Sequence, residues 1–206
     1  MSINRKFLFD EIRGKLFPDG LQQHQVEGVE AILDEWEKKY SGNDDRWLAY
    51  ILATAFHESA HTMQPVRETL AGSDAQASAR LENAWDAGKL SWVSKPYWRP
   101  DGDGHAWFGR GLVQITFKDN YKKLGAAIGN AKLGTDPSEA LKMDVAIDVM
   151  FIGMEKGLFT GKKLGDYFDK DEQDWVNARR IVNGLDRAEK IAGYARAFYA
   201  AISYTL

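Results

Sequence analysis

The sequence predicts a mainly α protein with at most a minor β element, and three observations carry that expectation. Helical periodicity recurs along most of the chain, helix-capping residues stand where the periodic runs begin, and strand-like alternation is scarce. The 206 residues suit one domain, or one globule with two lobes, and can bury a sizeable core. No internal repeat, low-complexity tract or clear linker divides them, so residues 1–206 read as a single domain.

In chain order, helices are expected at about 3–16, 22–40, 45–62, 74–88, 117–129, 138–157, 172–182 and 187–204. Asn43 or Asp44 caps the run RWLAYIL, Asp136-Pro137-Ser138 precedes EALKM, and Asp186 precedes RAEKIAGYARAF. Glycine and proline concentrate in KPYWRPDGDGHAWFGRG, residues 95–111, the longest irregular segment. The best strand candidate is Leu112-Val113-Gln114-Ile115-Thr116, short and β-branched.

Composition removes several functions. A formal net charge of −3 and the lack of a long basic stripe argue against nucleic-acid binding. No apolar run approaches the roughly 20 residues that cross a bilayer, so stable membrane insertion is not expected. The N-terminus MSINRKFLFDEIRGKLF has no uninterrupted apolar region of the kind a secretory signal needs, which implies synthesis and first residence in a cytoplasm. With no cysteine, any metal would rest on histidine and carboxylates. Seven tryptophans suit sugar stacking, although large cores use aromatics too.

The segment Trp47–Phe56 is apolar or small almost all round, the pattern of a central buried helix. Between Trp47 and Val66 the only formally charged residue is Glu58. A carboxyl desolvated without a nearby cation keeps its proton to higher pH, as a general acid must. A structural glutamate satisfied by local partners is the alternative.

Glu58 also sits inside His57-Glu58-Ser59-Ala60-His61, which spells the H-E-x-x-H of zinc metallopeptidases. On a continuous helix His57 and His61 would share a face and could bind one metal, with Glu58 as base. The extended motif fails at Gln64 and Arg67, leaving Glu82, with Asp86 four residues later, as the candidate third ligand.

Fifty residues on comes WFGRGLVQITFKDNY, 107–121. Its glycines permit close backbone approach, and strand alternation would put Gln114 and Thr116 on one face, with Asn120 opening the next helix nearby. Gln, Thr and Asn together can hydrogen-bond sugar hydroxyls, N-acetyl groups and a water. Gly109-Arg110-Gly111 lacks the third glycine of a dinucleotide loop. Asp101-Gly102-Asp103-Gly104 is a polar turn and not an EF-hand, since Leu112 occupies the frame's position 12.

With AFHESAHT, YWRP, FGRGLVQITFKDNY, DVAIDVMFIGMEKGLFTGKKL and RIVNGLD in that order, the chain resembles the family 19 glycoside hydrolases. These are the chitinase-like branch of the lysozyme-like enzymes, including many phage endolysins. The resemblance covers about residues 45–200 and implies a two-lobed helical fold, with a catalytic core over 45–206 behind N-terminal helices over 1–44. It makes Glu58 the catalytic acid with His57 as its usual neighbour. It puts Gln114, Thr116, Asn120 and Asn183 at cleft positions, Thr116 helping to hold the attacking water, and suggests Tyr121 and Arg196 as further substrate contacts. Glu68 matches the family's second glutamate loosely; an inverting glycosidase holds such a base about 6.5–9.5 Å from the acid.

The absence of cysteine and of a chitin-binding module sets the chain apart from plant chitinases and brings it closer to phage or prophage lytic enzymes. The implied activity is inverting hydrolysis of β-1,4 bonds between N-acetylated amino sugars of bacterial peptidoglycan, without a cofactor or metal. A chitinase acting on chitin oligomers is the nearest alternative and a zinc metallopeptidase the alternative of another class. A monomer is expected, reaching the cell wall after holin-type release.

Overall fold

The computed structural model describes residues 2–205. It is mainly α: seven α-helices, several short 3₁₀ turns and only two-residue strands among the described residues. The chain forms two compact units, the first from residues 1–64 and 150–206, the second from 65–149. No helix among the described residues is long and apolar enough to cross a membrane.

In the first unit α1 (Arg5–Leu16) and α2 (Gln23–Glu35) lead to α3 (Asp45–Glu58). Helix α3 starts where the Asp44 carboxylate accepts the Arg46 N–H at 2.9 Å, and every residue from Leu48 to Phe56 is buried. It packs on α7 (Ala188–Ala201), with Phe56 edge-on to Phe17 at 5.1 Å and to Tyr194 at 4.8 Å. Burial of 48–56 on every side is what the apolar run demands, since that stretch has no face to give to water. A two-stranded ladder pairs β1 (Ser2–Ile3) antiparallel to β6 (Tyr204–Thr205).

In the second unit β2 (Val66–Arg67) pairs antiparallel with β3 (Arg110–Gly111), in register Val66↔Gly111 and Arg67↔Arg110. Helix α4 (Asp74–Asp86) covers a small core of Ala77, Leu81, Trp98 and Phe108. Helix α5 (Lys118–Ala127) follows, and α6 (Met143–Lys156) begins in this unit and ends in the first.

Four expected elements are corrected. The helix expected over 45–62 stops at Glu58, because Ala60 and His61 take left-handed φ values of 51° and 70°. The strand expected at 112–116 is a tight turn, closed by reciprocal Arg110 and Ile115 backbone hydrogen bonds of 3.2 and 3.0 Å with Gln114 at φ 52°. The helix expected over 172–182 is β5 (Glu172–Gln173), paired with β4 (Phe168–Asp169), then a 3₁₀ turn over Asn177–Ile181. There Asp174 accepts the backbone N–H and the side-chain amide of Asn177 at 3.0 and 2.7 Å, so the segment is organised as a capped turn. The run 138–157 is broken at Lys142, whose ψ of 133° is extended, between the 3₁₀ turn Pro137–Leu141 and α6.

Candidate functional site

Glu58 is the last residue of α3, where a buried apolar helix reaches partial exposure. Its side chain is 17% exposed, and Oε1 accepts a hydrogen bond from Arg179 Nη1 at 2.6 Å. Oε2 has no partner among the described residues. The lone carboxyl read from the sequence is thus corrected: tertiary structure brings a cation to it from 121 positions away. Arg179 is 4% exposed, rides on the 3₁₀ turn Asn177–Ile181, and also donates through Nε to the Asp186 carbonyl at 3.3 Å. Nothing in ARRIVNG distinguishes it from its exposed neighbour Arg180, so periodicity could not have singled it out.

His57 is half-buried beside Glu58. Burial pushes its pKa below the ordinary histidine value; the Glu58 charge opposes that, and Arg179, Arg187 and Lys190 reinforce it. Asn183 is exposed just beyond the Arg179 turn, its backbone N–H donating to the Arg179 carbonyl at 3.1 Å and its Oδ1 accepting from Gly184 N–H at 2.8 Å. Arg196 stands exposed on α7 without an ion pair among the described residues.

The segment after Glu58 does not fit a metal. His61 lies off the helix, its ring stacked on Phe56 at 4.1 Å and 4°, with Tyr194 Oη 3.5 Å from Nε2. His57 and His61 therefore share no helical face. Glu82, the candidate third ligand, accepts from Arg99 at 2.5 Å and from Trp98 Nε1 at 2.7 Å. These bonds lower its pKa to about 2. Among the described residues no cluster of three or more histidine or carboxylate side chains could hold a metal ion.

In the second unit a hydrogen-bonded chain gathers most of the other candidates. Glu68 accepts the Tyr97 hydroxyl at Oε1 (2.9 Å) and the Gly109 N–H at Oε2 (2.7 Å), while its own N–H donates to the Gly109 carbonyl at 2.7 Å. Each carboxylate oxygen keeps a free lone pair, so the group can still accept a proton from a water. Burial first, then the charge and hydrogen bond of Glu68, push the Tyr97 phenol above its ordinary value, so it stays a donor. Arg67 leaves Glu68 alone and pairs with Asp74 at 2.6 Å.

Gln114 Nε2 donates to the carbonyls of Val66 (2.9 Å) and Gly111 (3.1 Å). Thr116 Oγ1 donates to the Gln114 carbonyl at 3.2 Å, and Asn120 Nδ2 to the Thr116 carbonyl at 2.8 Å. Gly109 lets both side chains approach: a Cβ would stand 2.9 Å from Gln114 Oε1 and 3.2 Å from Glu68 Oε2 and push their ends aside. Tyr121 is fully buried, donating to the Phe108 carbonyl at 2.8 Å and accepting from Arg110 at 3.2 Å. It supports the loop from below and cannot touch a ligand, which corrects its reading as a substrate contact. Tyr97 and the Gly109 N–H are the partners of Glu68 that sequence reasoning missed; YWRP entered only as a piece of the family resemblance, with no role given to Tyr97.

Comparison of this chain with protein-family models, with curated proteins and with solved structures found no match.

Proposed function

We propose that the protein is a glycoside hydrolase that cleaves β-1,4 bonds between N-acetylated amino sugars of bacterial peptidoglycan, inverting the anomeric centre. The observation that carries the reading is the placement of Glu58: one carboxyl oxygen gripped by Arg179, the other without a partner among the described residues, at the partly exposed end of a buried helix. The guanidinium fixes Oε1 in place; in the proposed reaction the proton is carried on Oε2, the oxygen that Arg179 leaves open. In the proposed reaction that proton passes to the glycosidic oxygen as the C1–O bond breaks, and a water attacks C1 from the opposite face.

Glu68 takes the water's proton, with Thr116 holding that water; Gln114, Asn120 and Asn183 orient the glycan. The Tyr97 and Gly109 donors support this role, since two fixed hydrogen bonds hold the carboxylate in one orientation. No step calls for a cofactor. The enzyme would reach its substrate after holin-type release from the cytoplasm.

Glu58→Gln assayed on purified cell walls and on chitin oligomers, with and without EDTA, tests the reading. Loss of reducing-sugar release on cell walls, unaffected by chelator in the wild type, is expected. Undiminished cleavage by Glu58→Gln refutes it, and faster cleavage of chitin than of cell wall by the wild type transfers the activity to chitin. The anomer first released establishes inversion or retention.

A further inference from the structure

A cavity of about 490 Å³ lies within the second unit, its wall including Lys95, Tyr97, Trp107, Phe117, Lys118 and Asp119. That is within the range, about 300–1,000 Å³, of cavities that hold small ligands. Its wall is aromatic, and it abuts the proposed base, because Tyr97 spends its hydroxyl on Glu68 at 2.9 Å.

Phe117 is the unusual member of the wall. It is 46% exposed and has a φ of 67°, a conformation costly for a bulky residue. The strain is held by its N–H to the Trp107 carbonyl (2.8 Å) and by its carbonyl, which accepts from Asn120 (3.0 Å) and Tyr121 (3.2 Å). Its ring meets Tyr97 edge-on at 5.0 Å. An apolar ring fixed outward at such a cost, beside a second ring, makes a stacking platform.

Most charges on the wall are already engaged. Lys118 is held by Asp101 at 2.7 Å and Asp103 at 2.9 Å, and Arg99 by Glu82 at 2.5 Å. Lys95 and Asp119 remain, both exposed and without an ion-pair partner among the described residues. The cavity therefore offers three aromatic rings, those of Tyr97, Trp107 and Phe117, and one unengaged charge of each sign. A neutral glycan would leave both charges unused, and a polyanion would meet Asp119.

We propose that this cavity binds the short zwitterionic peptide borne by an acylated amino sugar. The peptide carboxylate faces Lys95, its ammonium faces Asp119, and the sugar packs on Phe117 and Tyr97. The inference rests on the glycosidase reading and narrows it to peptide-bearing cell-wall glycan.

The test is calorimetric titration of the Glu58→Gln protein, which prevents turnover. The probes are a neutral N-acetylglucosamine tetrasaccharide, a peptide-free cell-wall tetrasaccharide, and that tetrasaccharide with its peptides attached. The peptide-bearing probe is expected to bind about tenfold more tightly than the peptide-free one. Lys95→Glu and Asp119→Lys, both at exposed positions, should each abolish that difference, and added salt should shrink it. Equal affinity for the peptide-bearing and peptide-free probes, or a difference that survives both charge reversals, overturns the inference. Failure of the glycosidase reading has a separate signature: undiminished cell-wall cleavage by Glu58→Gln.

Discussion

Arg179 Nη1 donates to Glu58 Oε1 at 2.6 Å, across 121 residues of chain, and both side chains are mostly withdrawn from water. A guanidinium so placed orients the carboxyl as no solvated lysine could, because its donors are fixed in a plane. Arg179→Ala should cost about 3 kcal/mol of stability, the scale for stranding one partner of a buried pair. Activity at temperatures where the variant is folded should fall by on the order of 100-fold, the size of a misplaced general acid. Arg179→Lys should restore stability more than activity. Thermal unfolding and initial rates on cell walls check both.

Gly28 of α2 governs the backbone just beyond Glu58. A Cβ there would fall 1.9 Å from the Met63 carbonyl oxygen, so the 59–64 loop could not lie where it does. That loop is further tied to α2 by Gln25 Nε2 to the His61 carbonyl (2.9 Å) and Gln64 Nε2 to the His24 carbonyl (2.5 Å). Gly28→Ala should therefore destabilise by about 1–3 kcal/mol, the cost of overpacking, despite alanine's better helix propensity. Denaturant titration reads this directly; a stabilised variant would contradict it.

Gly109→Ala should separate activity from stability. The intruding methyl meets the ends of two side chains, Gln114 and Glu68, which can move aside. Displacing Glu68 from the Gly109 N–H should lower kcat by about 10- to 100-fold, the scale of general-base contributions. Tm should change by only a few degrees, since a loss of about 1 kcal/mol moves a domain of this size by roughly 2–4 °C.

Acid should loosen the second unit through Asp74, which bridges Arg67 at 2.6 Å and the fully buried Arg110 at 2.7 Å. Burial would raise the Asp74 pKa, but the hydrogen bonds and charges of the two arginines outweigh it and hold it below 3.8. The folded value is depressed, so the stabilisation is complete above about pH 3.8 and disappears as pH falls through the lower folded value. Asp74 is 46% exposed, so solvent screening holds the loss in Asp74→Asn to about 1 kcal/mol at neutral pH, with a flatter acid limb. Stability curves of both proteins between pH 2 and 6, a window chosen about that value, test the sign.

His61→Ala removes a ring stacked at 4.1 Å on Phe56 and should cost about 1 kcal/mol of stability. Its kcat should stay near wild type, with or without chelator. A loss as severe as that of Glu58→Gln would restore the metallopeptidase alternative.

Local pattern was enough to mark out α1 to α7, because apolar periodicity and caps such as Asp44 act within one or two turns. It also singled out, as candidates, Glu58, the only formal charge in an apolar run, and the 109–120 segment. It failed at 112–116, where β-branched residues sit in a turn closed by Arg110 and Ile115, and at 59–62, where Gly28 and the α2 side chains hold the chain off its helical path.

By itself, the sequence determined the helical class, the burial of α3 and the residue types that bear the proposed chemistry. Only tertiary structure decided that Glu58 meets Arg179, that Glu68 meets Tyr97 and Gly109, and that His61 leaves the helix. Helix periodicity is written in neighbours three and four positions apart. These pairings join residues up to 121 positions apart, and the packing of whole helices selects them.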